Sequence, residues 1–254
     1  MALRLIVENR KHVSISSIRS TPGYSQFIHR LKAIGKPPNI QFLNKNIIDE
    51  VLNHICNLRL MSGAVERLAL VIMDKEAVKE ISQRYPFIPI LIFDSHLLQG
   101  GVINEASNRS AASRQFASYQ LMFIFRVNLA RAILYENISF WSTQPDSIWR
   151  GNLYNLGYDN DDGEYDLYFD ETGNDELFYF RKIKGWICGS MFFARANDHT
   201  RKFFDRVYEL MLRLLAPDSA IMTKLCQDGE AKCYLMPHRF QPQFINVDRH
   251  DNRS

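Results

Sequence analysis

No stretch of this 254-residue sequence is apolar for long enough to cross a membrane. The longest apolar runs, Leu68–Met73 and Phe87–Phe93, are strand-sized, against the ~20 residues a spanning helix needs. The N-terminus meets a charge at Arg4, too early for the apolar core of a signal peptide. As it stands, the chain reads as soluble. Cysteine is also scarce: the four present (Cys56, Cys188, Cys226, Cys233) show no C-x-x-C spacing. That excludes a small disulfide scaffold and the common zinc modules, and predicts mostly buried thiols. There is no G-x-G-x-x-G, no G-x-x-x-x-G-K-[ST], no G-x-S-x-G and no H-E-x-x-H. Common dinucleotide binding, P-loop chemistry and the usual hydrolase and zinc-protease signatures are therefore absent.

What is present is ordinary in bulk and uneven in detail. An apolar fraction of 46% and a charged fraction of 23% suit a globular chain. The net charge of +3 hides a division. Residues 159–176 hold nine acids (Asp159, Asp161, Asp162, Glu164, Asp166, Asp170, Glu171, Asp175, Glu176) and no Lys or Arg. The other 236 residues set 31 basic residues against 19 acids, a surplus of twelve. A basic body of that kind suits an anionic ligand. It does not read as a nucleic-acid binder, because no dense Lys/Arg stripe is interleaved with aromatics.

From about residue 40, short continuous apolar runs alternate with helical patterns. Strands are predicted at Ile40–Asn44, Leu68–Met73, Ile88–Phe93, Ile138–Ser142, Trp186–Ala194 and Lys232–Met236, with Tyr165–Phe169 a further candidate. Helices are predicted at Asn46–Met61, Lys75–Arg84, Gln115–Tyr135, Asp198–Leu215 (with Asp198 as N-cap) and Asp218–Gln227. Continuous rather than alternating strands suit a parallel sheet covered on both faces. The expectation is a single α/β domain with a mixed, mostly parallel, Rossmann-like central sheet flanked by helices. Residues 1–39 are placed as an appended segment outside the core sheet, 40–245 as the domain proper and 246–254 as a polar tail.

The acidic run invites a calcium-loop interpretation. With Gly163 at the sixth position, however, Tyr158 and Phe169 stand where carboxylates are required, so the loop fails. A solvated acidic loop is expected instead. The strand end at Phe140–Trp149 (FWSTQPDSIW) is more informative. Ligands of open α/β sheets sit at the carboxyl ends of strands, and a carboxylate there can hold a hard cation against a diphosphate.

Four stretches, in order, resemble the nucleotide-diphospho-sugar transferase family, glycosyltransferases of the GT-A type. They are Phe42–Asn46 with the helix through Cys56, Tyr119–Met122 with Arg126, Phe140–Trp149, and Gly185–Arg195 (GWICGSMFFAR) followed by Asp198–Thr200. Asp218-Ser219 falls where an Asp-Gln pair usually opens a helix, and Leu235–Pro237 resembles a closing Leu-Pro. The resemblance covers roughly residues 40–245. The family's D-x-D here reads Gln144-Pro145-Asp146, which keeps only the second carboxylate; Cys188 and Ser219 also depart from the pattern.

The resemblance implies a glycosyltransferase (hexosyl- or pentosyl-) that moves a sugar from a nucleotide diphosphate donor to a carbohydrate or glycoprotein hydroxyl. It implies a Mn²⁺ or Mg²⁺ ion held by Asp146, with His238 completing the metal site. Asn44, Arg126, Gln144, Asp146 and Gly189 would bind the donor, and Asp218 would be the catalytic acid, acting as acceptor-side base or sugar-hydroxyl ligand. From the residues alone, Asn44 is also a plain strand-end cap and Asp218 a helix N-cap. Trp141, Trp149 and Trp186 are expected in the core. The alternative function is a catalytically weak domain of the same fold serving as a binding or scaffold protein. The family implies the Golgi lumen and secretory route, for which sequons at Asn108, Asn137 and Asn252 would matter; a chain complete as given would be cytoplasmic.

Overall fold

In the computed structural model, which describes residues 2–94, 111–171 and 186–236, the apolar runs become strands. These are β1 (Asn39–Leu43), β2 (Leu68–Ile72), β3 (Ile90–Ile92), β4 (Phe140–Ser142), β5 (Leu167–Glu171), β6 (Ile187–Ala194) and β7 (Cys233–Met236). The described strands form one sheet of order β3-β2-β1-β4-β6-β5-β7. β1 pairs in parallel with both β2 and β4, and β5 with β7, while β6 runs antiparallel to its neighbours β4 and β5. The predicted α/β class with a mixed, mostly parallel sheet is what the chain adopts.

Strand β2 shows why its run is apolar throughout. Ala69 and Val71 face one hydrophobic cluster, while Leu68, Leu70 and Ile72 face a second, and all five are fully buried. A strand covered on both faces cannot alternate polar and apolar residues. The first cluster takes in helices α6 (Ala111–Tyr135), α7 (Asp198–Met211) and α8 (Asp218–Gln227). The second takes in α4 (Ile48–Leu58) and α5 (Lys75–Arg84), which carry Val51, Ile55, Leu58, Ala77 and Ile81.

Residues before β1 form three helices, α1 (Ala2–Asn9), α2 (Ile15–Arg19) and α3 (Tyr24–Ala33). They lie outside the sheet, but Leu5, Ile6, Val13, Ile18, Phe27 and Leu31 are buried in the same cluster as α6. Asn128 on α6 donates to the Val13 carbonyl at 2.7 Å.

Three local expectations are corrected. The N-cap of α7 is Asn197, whose side chain accepts from the Thr200 amide at 2.8 Å, and Asp198 is the first helical residue. Cys226 and Cys233 are joined in a disulfide that ties α8 to β7, and Cys56 is exposed, so the cysteines are not mostly buried thiols. Finally, the acidic segment is not simply solvated. Asp161, Asp162 and Glu164 are exposed, but Asp159, Asp166 and Asp170 are buried. Asp159 takes the Arg67 guanidinium and the Trp141 indole N–H, and Asp166 accepts from Asn197 and from the Lys232 amide. Residues 172–176 of the segment lie outside the described residues.

Candidate functional site

Because β6 is reversed, its first residues lie at the edge where the parallel strands β1, β2 and β4 end. Asn44 follows β1 there, and its side-chain oxygen accepts from the Asn46 amide at 2.9 Å, capping a short turn. Asp74 follows β2 and accepts from the Lys45 amide at 3.0 Å, which fixes the two strand ends to each other. Gln144 and Asp146 follow β4 and are both exposed, while Pro145 between them is buried. His238 lies outside the described residues. Among the described residues no three metal-ligating side chains converge.

The sequence singles out Arg126, Gly189 and Asp218 separately; the fold brings them together. Arg126 on α6 donates from Nε to Asp218 Oδ2 at 2.8 Å, and its Nη2 meets the same oxygen. Asp218 opens α8, is 2% exposed, and also accepts from the Ser219 amide at 2.9 Å through Oδ1. The N-cap expected at Asp218 is Pro217 instead, and Asp218 is the first helical residue, its carboxylate turned to Arg126 and to its own neighbour's amide. Gly189 in β6 lies against this pair. A Cβ built there would stand 2.9 Å from Arg126 Nη2 and 3.2 Å from Ser219 Cβ. The absence of a side chain is what lets the guanidinium cross the strand. Arg126 also shares a small void with Phe42, Ser142 and Phe192, which places it behind the ends of β1 and β4.

The turn carrying Asp146 is held from below by groups not singled out in the sequence. His54 on α4 is fully buried, and its Nδ1 lies 2.8 Å from the Ser147 carbonyl oxygen. Gln41 Nε2 lies 2.9 Å from His54 Nε2 and donates to Thr143 Oγ1 at 2.7 Å; Thr143 in turn donates to Asn39 at 2.9 Å. An amide nitrogen can only donate, so His54 Nε2 accepts and Nδ1–H donates to Ser147. Burial holds the imidazole below its ordinary pKa, outweighing the Ser147 carbonyl and the Asp146 charge, which raise it. One turn further along α4, Asn57 makes a reciprocal pair with the Trp149 backbone, at 2.8 Å and 3.0 Å. The readable signal was His54 itself, a polar residue on the Val51–Ile55–Leu58 stripe that the helix buries. Trp141 and Trp149 are core residues as expected, and Trp186 is half-buried.

A family model described as nucleotide-diphospho-sugar transferase matches residues 63–254. The chain belongs to that family. Arg126, Gln144, Asp146, Gly189, Asp218 and His238 all lie within the matched range, and Asn44 lies before it. Among solved structures, this family member is similar to the galactosyltransferase LgtC in complex with donor and acceptor sugar analogues. The identity is 10% and the TM-score 0.51, covering 80% of this chain and 74% of that one. It is also similar to the bifunctional glycosyltransferase WbbM, again at 10% identity, with a TM-score of 0.50 and 80% of this chain covered. The match spans only 39% of WbbM. These likenesses establish the transferase fold. No curated protein matches this family member by sequence.

Proposed function

We propose that this nucleotide-diphospho-sugar transferase moves a sugar from a nucleotide diphosphate donor to a hydroxyl of a carbohydrate or glycoprotein acceptor. The observation that carries the proposal is the Arg126–Asp218–Gly189 junction, which lies at the same sheet edge as the Gln144–Asp146 turn. The buried carboxylate takes Nε and Nη2 of Arg126 and fixes the guanidinium plane, which leaves Nη1 to donate to a phosphate oxygen. Asp218 places its carboxylate beside that group, where it serves as acceptor-side base or holds a sugar hydroxyl. Asn44, at the end of β1, faces the nucleotide part of the donor.

Asp146 is exposed and Gln144 can offer a carbonyl oxygen, so the turn presents hard oxygen donors of the kind Mn²⁺ or Mg²⁺ prefers. A cation held there would supply positive charge to the diphosphate leaving group. Asp146 would supply one carboxylate and Gln144 a neutral oxygen, with His238 proposed as the third ligand. The protein's part is to fix this turn, which His54 and Asn57 do from α4.

The Cys226–Cys233 disulfide supports a Golgi-lumen or secretory setting, since disulfides persist in oxidising compartments. Among the described residues no helix is long and apolar enough to cross a membrane.

Thermal-shift screening of nucleotide sugars with and without Mn²⁺, followed by release of nucleoside diphosphate, tests the proposal. Asp146→Ala should leave folding intact and lower turnover by on the order of 100-fold or more. Calorimetry that finds neither nucleotide nor metal binding to the wild type sinks it in favour of the scaffold role.

A further inference from the structure

A second cavity, of about 470 Å³, opens at the opposite edge of the sheet. Its walls come from the segments entering the strands: Lys36 before β1, Gly63 and Arg67 before β2, and the Asn152–Asp161 loop leading towards β5. The floor is charged yet balanced. Arg67, 8% exposed, is ion-paired with Asp159, 9% exposed, stacks over the Tyr154 ring at 3.7 Å and donates from Nε to the Pro37 carbonyl at 2.8 Å. Its Nη1 donates no hydrogen bond to any described residue. At the rim, Lys36, Asn155, Asn160 and Asp161 are exposed; the Arg195 guanidinium donates to the backbone carbonyls of Asn160 and Asp161 at 2.8 Å and 3.4 Å, while the four side chains themselves make no hydrogen bond or ion pair among the described residues. The loop is braced at two points. Gly157 turns it at a φ of +71°, and a Cβ there would meet Asn160 Nδ2 at 3.1 Å. Asn152 fixes it to Ser62 through a 2.8 Å hydrogen bond.

We propose that this cavity binds a neutral saccharide unit, at a site separate from the donor edge. Two cations facing two carboxylates give no net charge to attract a phosphate. Side-chain amides offer donor and acceptor together, which is what vicinal hydroxyls require. The volume lies in the range of small-molecule sites. The site's natural use is to hold a part of a glycan remote from the reacting hydroxyl.

The test uses the full chain without nucleotide or metal, so it does not depend on the transferase assignment. Saturation-transfer NMR is recorded with free glucose, galactose, mannose, xylose, N-acetylglucosamine and lactose, and with inorganic phosphate. At least one sugar should bind. Asn155→Ala or Asn160→Ala should each weaken it about two- to tenfold, the effect of one lost hydrogen bond. Asp146→Ala at the other edge should leave it unchanged. Failure of every sugar to bind overturns the proposal. So does binding that survives the Asn155→Ala/Asn160→Ala double change, or that is lost with Asp146→Ala. Phosphate binding tighter than any sugar also overturns it.

Discussion

The Nδ1 atom of His54 lies 2.8 Å from the Ser147 carbonyl oxygen, joining the buried face of α4 to the turn that carries Asp146. The two residues are 93 apart in sequence. This contact anchors the turn beneath the exposed carboxylate; a proton added to the ring goes to Nε2, where it opposes the Gln41 amide and leaves the Nδ1–H bond in place.

The effect of that proton on stability has a sign. In the unfolded chain a histidine titrates near pH 6.5, and burial lowers His54 in the folded protein. Below about pH 6.5 the unfolded state therefore binds a proton that the folded state does not, and stability falls as pH falls. Protonated Nε2 would also face the Gln41 amide donor. Thermal unfolding between pH 7.5 and pH 5 should show a loss for the wild type. In His54→Gln the part of the slope due to this residue should be absent.

Breaking the Arg126–Asp218 pair from one side leaves an uncompensated buried charge. Asp218→Ala should cost about 3–5 kcal/mol in urea denaturation. The double variant Arg126→Met/Asp218→Leu should cost clearly less than the two single changes added together. Equality with the sum would mean that the pair is not coupled.

Gly189→Ala tests the junction from a third direction. The new methyl would lie 2.9 Å from Arg126 Nη2 and 3.2 Å from Ser219 Cβ, inside normal contact. A loss of about 1–3 kcal/mol is expected, together with weaker nucleotide-sugar binding by calorimetry. Unchanged binding would show that the guanidinium is not at the donor.

The disulfide closes a short loop, with a sequence separation of 7 between Cys226 and Cys233. Chain-entropy arguments give about 2–3 kcal/mol for such a loop. Reduction with dithiothreitol should lower the Tm, and Cys226→Ser should lower it to the same level, insensitive to further reductant.

The sequence by itself determined the order and type of most elements. Leu68–Ile72 is a strand because burial on both faces demands uninterrupted apolar side chains, and the Met191–Ala194 run marks the buried end of β6. Helix α5 matches its prediction at Lys75–Arg84 because its ends and its periodicity are local. It also marked Arg126, Asp146, Gly189 and Asp218 through motif order. It could not show that Arg126 and Asp218, 92 residues apart, share one ion pair, since that requires α6 and α8 to meet across β6. Asp159 and Asp166 look like surface charge because burial of an acid depends on partners such as Arg67 and Asn197 that only folding supplies. Nor could cysteine spacing reveal the Cys226–Cys233 bond, which exists because α8 and β7 bring two Cα atoms to 5.7 Å. Local pattern decides elements because it is set by neighbours along the chain. Tertiary structure decided the site, because its charges are stabilised by neighbours across the fold.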